Sequence, residues 1–173
     1  MFDTLFEIFV FTIGVQGVVF FLSHIPSLEK HTPMREKALI IYTDLLFGAS
    51  LITGMYIAIA GHISPGGGFV GGIVGATGAV LVFLTMPIEE IEKDFPHKYI
   101  AFWEMIILMG ILTIVIIPVM LSLPPMRNFL PLGTPGELFS AGTIPIIDTL
   151  IGIKVLIGAI TIAQVFIKHR GIF

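Results

Sequence analysis

The sequence contains no cysteine, which excludes disulfides, thiol nucleophiles and thiolate-held metal clusters. Charge is scarce as well. Only 12% of the residues are Asp, Glu, Lys or Arg, against roughly one quarter in a soluble domain. No internal repeat and no low-complexity linker is evident, and little chain is left over for a soluble domain. What is present is apolar: 55% of the 173 residues are hydrophobic, and the mean hydropathy is +1.02. This composition predicts an all-α, polytopic bundle in the cell membrane.

A helix crosses the hydrocarbon core with about 17 to 25 predominantly apolar residues. Five segments qualify: Thr4 to Phe21, Ala38 to Ala60, Phe69 to Met86, Tyr99 to Leu121 and Ile144 to Ile167. Asp3 and Glu7 stand where a secretory leader would be basic, and no small-residue cleavage site follows, so the first span reads as a retained helix. Five crossings put the termini on opposite faces. One face receives Lys30, Arg35, Lys37, Lys93, Lys98, Lys168 and Arg170, whereas the other receives only Arg127. Cytoplasmic loops carry the excess of Lys and Arg, which predicts an outer amino terminus and a cytoplasmic carboxyl terminus.

The loops differ in character. Residues 61 to 69, GHISPGGGF, carry no formal charge and join two spans. Gly61, Pro65, Gly66, Gly67 and Gly68 make a tight crossing in which glycine permits positive φ and close approach. The series continues into the third span at Gly71, Gly72 and Gly75, a small-xxx-small pattern that lets helix backbones come close. Gly48, Ala49, Ser50, Thr53 and Gly54 form a second, less regular small patch. The run is not a phosphate loop, since no Gly-Lys-Ser/Thr ending follows and no strand precedes. Pro87 to Lys98 is acidic and bracketed by prolines, and predicts a short turn of helix. Leu123 to Thr143 holds Pro124, Pro125, Pro131 and Pro135, which exclude a continuous helix. Its Phe129, Leu130, Leu132, Leu138 and Phe139 are apolar enough to lie against protein or the lipid interface.

Beyond the first turn of each span, four ionisable side chains fall within the membrane segments: Asp44, Glu104, Asp148 and Lys154. At about 1.5 Å per residue, Lys154 lies about 15 Å from the outer end of its span, near the midplane, and Asp148 about 6 Å. Asp44 and Glu104 lie about 9 Å and about 7.5 Å from the inner ends of theirs. A lysine at such depth should face a bundle interior, a hydrated cavity or a carboxylate. Asp148 is six residues from Lys154, about 240° around the helix, so the two should not pair. By depth the internal partner is Asp44, and a carboxylate from a neighbouring subunit is the other candidate. Glu104, Asp44, Lys154, Asp148 and His62 form a discontinuous ladder of protonatable groups, suited either to relaying a proton or cation or to static pairing and snorkelling. His62 has no second histidine at ligand spacing, so no metal or catalytic role is expected of it. No nucleic-acid partner is expected.

Two motifs carry a family resemblance. GHISPGGGFVGGIV at residues 61 to 74 and NFLPLGTPGELFSAGTIPIIDTLIG at residues 128 to 152 are similar to blocks of the B subunit, MnhB type, of Mrp multisubunit Na+/H+ antiporters. The resemblance covers about residues 37 to 168 and implies a four-helix membrane domain there, with 169–173 as a cytoplasmic tail. The family usually begins near the second span, so residues 1–36 add a transmembrane helix and a cytoplasmic loop. That arrangement looks like the one in archaeal membrane-bound hydrogenases and their sulfur-reducing relatives. The resemblance implies a non-enzymatic subunit without a cofactor of its own, working beside other antiporter subunits, and possible passage of Na+ and H+. It implies a hydrogenase or sulfur-reductase module as a further partner.

Overall fold

A computed structural model describes residues 2–26, 33–138 and 140–170, with the side chains of residues 2 and 170 left aside. Lys30, Phe139 and the end of the expected tail, 171–173, lie outside the described residues, and so does the side chain of Arg170. Six helices follow in order: α1 (Phe2–Ser23), α2 (Lys37–Ile59), α3 (Gly68–Thr85), α4 (Ile88–Asp94), α5 (His97–Met120) and α6 (Ile144–Arg170). Five of them, all but α4, are long and apolar enough to cross a membrane. No strand occurs among the described residues. Lipid offers the backbone no hydrogen bonds, so helices satisfy it internally. The chain is a multi-pass membrane protein.

Local chemistry sets the helix ends. Pro87 and Pro96 sit in extended conformation just before α4 and α5, where a missing N–H costs nothing. Glu89 and Glu90 occupy the first turn of α4 and Lys93 its last, complementing the helix dipole. Pro118 falls in the final turns of α5, so the amide it lacks removes one bond near a helix end rather than in its middle. The proline-rich stretch between α5 and α6 is irregular, as its composition predicts.

Helix α6 is the hub: α1, α2, α3, α4 and α5 all pack against it. Helix α3 wedges between α2 and α6 on glycine. A Cβ on Gly71 would come within 2.5 Å of the Gly54 carbonyl oxygen of α2, and one on Gly72 within 2.5 Å of the Gly152 carbonyl oxygen of α6. Gly75 admits Leu156, whose Cδ1 would lie 2.8 Å from an added Cβ. Adjacent glycines of α3 therefore serve two different neighbours, and Gly75 meets both, with Leu51 of α2 on its other side. In the second-span patch only Gly54 and Ser50 join this contact; Gly48 faces open space.

Two apolar clusters flank the hub. Ile8, Ile107, Ile111, Ile147, Ile151 and Val155 join α1, α5 and α6, while Ala79, Phe83, Ile91, Ile160 and Ile167 join α3, α4 and α6. Within an 18-residue apolar stretch of each span, about half of the residues are buried in α3 and α6, at 56% and 50%, but only 17%, 11% and 17% in α1, α2 and α5. Few residues of the outer three helices are fully buried within this chain, which leaves a face of each for lipid or other chains.

Candidate functional site

The deepest feature is a charge pair. Lys154 on α6 is fully buried and its Nζ donates to Oε1 of Glu104 on α5 at 2.5 Å. Glu104 is itself buried. The Phe11 ring of α1 closes the pocket, with Nζ 5.8 Å from the ring centroid, a cation–π distance. Gly158 makes the room, since a Cβ there would come within 2.5 Å of Phe11 Cε1. Phe11 meets Phe69 edge to face at 5.6 Å between centroids. A continuous contact path therefore runs from the end of the glycine motif, through α1, to the buried ammonium.

This corrects the expectation that Asp44 is the internal partner of Lys154. Similar depth does not make two helices neighbours on the right face. α2 reaches α6 where Ala58 meets Gly152, and Lys154, two residues further on, points about 200° away. Asp44 is instead exposed on the outer surface of α2. The paired ammonium also needs no carboxylate from a neighbouring subunit.

Asp148 and Lys154 do not pair, in accord with their angular separation. The Asp148 carboxylate lies under the glycine crossing: a Cβ on Gly61 would stand 3.1 Å from its Oδ2 and 2.5 Å from the Gly67 Cα. The carboxylate faces the first amide of α3, on Gly68, and the His62 ring acts on it electrostatically; a helix amino terminus favours negative charge. Gly66 and Gly67 take φ of 145° and 100°, which side chains strongly disfavour. Pro65 before them is exposed. His62 Nε2 lies 3.3 Å from the Glu137 carbonyl oxygen, while its Nδ1 is buried with no hydrogen-bond partner among the described residues.

Asp148 also borders a cleft of about 280 Å³ between α1, α5 and α6, whose other walls include Thr4, Met126 and Ile144. Its inner walls are Ile8, Ile111 and Ile151, each 1% exposed. Ile107 and Ile111 follow Glu104 by one and two turns, and Ile151 precedes Lys154 by one, so an apolar layer separates the cleft from the pair. The five ladder residues thus fall into three places: Glu104 with Lys154, His62 with Asp148, and Asp44 apart. No group of three or more His, Asp or Glu that could hold a metal occurs among the described residues.

Two side chains central to this arrangement stand outside the ionisable and glycine residues that the sequence points to. Phe11 is one of 15 phenylalanines, and nothing local distinguishes it. Asn128 organises the loop before α6: its Nδ2 donates to the Ala141 carbonyl at 2.8 Å, and its Oδ1 accepts from the Thr143 amide at 3.0 Å and the Leu130 amide at 3.2 Å.

Residues 38–161 match the model of a domain related to the MnhB subunit of Na+/H+ antiporter. The chain belongs to this family. Among curated relatives, the candidate antiporter subunits mnhB2 of Staphylococcus aureus strains Newman and USA300 are each 34% identical over 68 residues. Those matches cover 38% of this chain and 48% of each relative, so the chain spans about half the length of the curated relatives it matches. A solved chain of the membrane-bound sulfane sulfur reductase, an archaeal respiratory membrane complex, is similar with a TM-score of 0.79 at 31% identity. That likeness covers 97% of this chain and 73% of the other. The family match begins in α2, whereas the structural likeness is too extensive to omit α1. The helix that supplies Phe11 is therefore part of an architecture shared with that complex.

Proposed function

We propose that this chain is a membrane subunit of an Mrp-type cation/proton antiporter module that exchanges Na+ for H+. In this reading the module belongs to a redox-driven complex, such as a membrane-bound hydrogenase or sulfur reductase. The chain catalyses no reaction of its own, and its amino terminus faces outward. The observation that carries the reading is a lysine–glutamate pair at membrane depth in a member of an antiporter-subunit family. Ionisable groups within spans mark ion and proton routes far more often than lipid contacts. The pair and the Asp148 cleft lie on one line along α6, with the isoleucine layer between them. Passage of a proton requires that layer to open, either by motion of α5 against α6 or through a route completed by another subunit.

A purely structural reading draws on the same isoleucine layer: the pair then joins α5 to α6 as part of a scaffold between pumping and redox subunits. Inverted membrane vesicles separate the two. With the complex assembled, Lys154→Met or Asp148→Asn abolishes Na+-dependent proton exchange if these groups serve the route. Normal exchange in both assembled variants, or loss of assembly alone, leaves only the scaffold.

A further inference from the structure

Among ionisable groups lying beyond the first turn of a span, Asp44 is the one that the fold leaves exposed. It stands seven residues beyond Lys37, the first residue of α2, about 10 Å along the axis. Ile41, Leu45 and Leu46, near it in the chain, are exposed as well, and so is Ile52 about two turns further on. Neither ion pair of the described residues involves it. One turn on, Gly48 has nothing within 4 Å of where a Cβ would stand, so the α2 backbone beside the carboxylate is bare. Acyl chains cannot solvate a carboxylate. Its single methylene cannot carry it to the interface as a lysine stem would.

We infer that the outer face of α2 around Asp44 and Gly48 is covered by a transmembrane helix of another subunit, which brings a lysine or arginine to the depth of Asp44. The inference rests on the reading of the chain as part of a complex. Charge complementarity selects the occupant. A second copy packed about a two-fold axis would set Asp44 against Asp44, like charge on like. An apolar helix would leave the carboxylate as costly as lipid does, and a cation satisfies it more fully than a neutral donor, while the bare backbone at Gly48 lets a partner helix approach closely.

The cysteine-free chain allows a direct test in the complex purified from membranes. A thiol-linked photo-crosslinker on Gly48→Cys, with the wild-type chain as control, is expected to capture a transmembrane peptide of another subunit. That peptide carries Lys or Arg within about one turn of the attachment point. Asp44→Lys is expected to lower recovery of the chain in the complex by about tenfold, equivalent to about 1.4 kcal/mol. Exchanging the identified cation for Glu restores it. Capture of lipid, of a second copy or of a helix without a cation, with the chain still co-purifying, overturns the inference alone. So does undiminished recovery of Asp44→Lys. Purification of the chain with no other subunit overturns the reading of complex membership and this inference with it.

Discussion

Lys154 and Glu104, 50 positions apart in the chain, meet at 2.5 Å in the interior of the bundle, and the pair fixes α5 against α6. Taking each ion out of water costs several kcal/mol, which their attraction offsets only while both are present. Glu104→Gln is therefore expected to destabilise the assembled protein by about 3–5 kcal/mol, whereas Glu104→Leu combined with Lys154→Met is neutral or stabilising. Thermal unfolding of the detergent-solubilised complex checks both. A single variant as stable as its parent contradicts the burial of the pair.

Phe11 faces the same ammonium. Phe11→Leu should cost about 0.5–2 kcal/mol beyond the loss of packing. That extra cost should vanish when Lys154 is already Met, so a double-mutant cycle isolates it. Additive effects of the two substitutions would remove Phe11 from the site.

The glycines of α3 act through space rather than flexibility. Gly72→Ala places a methyl 2.5 Å from the Gly152 carbonyl oxygen and 2.7 Å from Val155 Cβ, an overpacking expected to cost about 1–3 kcal/mol. Gly17 of α1 meets nothing within 4 Å, and Gly17→Ala should stabilise slightly through helix propensity. Opposite signs in the melting temperatures of the two variants are the expected result.

Asn128 holds the irregular loop by bonds reaching up to 15 residues away. Asn128→Ala leaves the Thr143 amide and the Ala141 carbonyl without their side-chain partner, at about 1–3 kcal/mol. The measurement is limited proteolysis: cleavage between residues 123 and 143 should accelerate. An unchanged rate would mean that the prolines alone order the loop.

The sequence by itself determined the number and limits of the spans, the helical turn at α4, the irregular loop before α6 and the glycine-built packing of α3. These depend on the length of apolar runs, on proline's missing amide and on glycine's missing side chain, all readable locally. It also kept Asp148 from Lys154, because both lie on one helix and their angle follows from spacing. Only the tertiary structure decided that Lys154 faces α5 and Phe11 rather than Asp44, and that Asn128 anchors its loop. Depth in the membrane follows from counting residues, but the azimuth at which one apolar helix meets another does not. That angle is set by which small residues let two backbones approach, and here Gly72 and Gly152 turned α6 so that its lysine points away from α2.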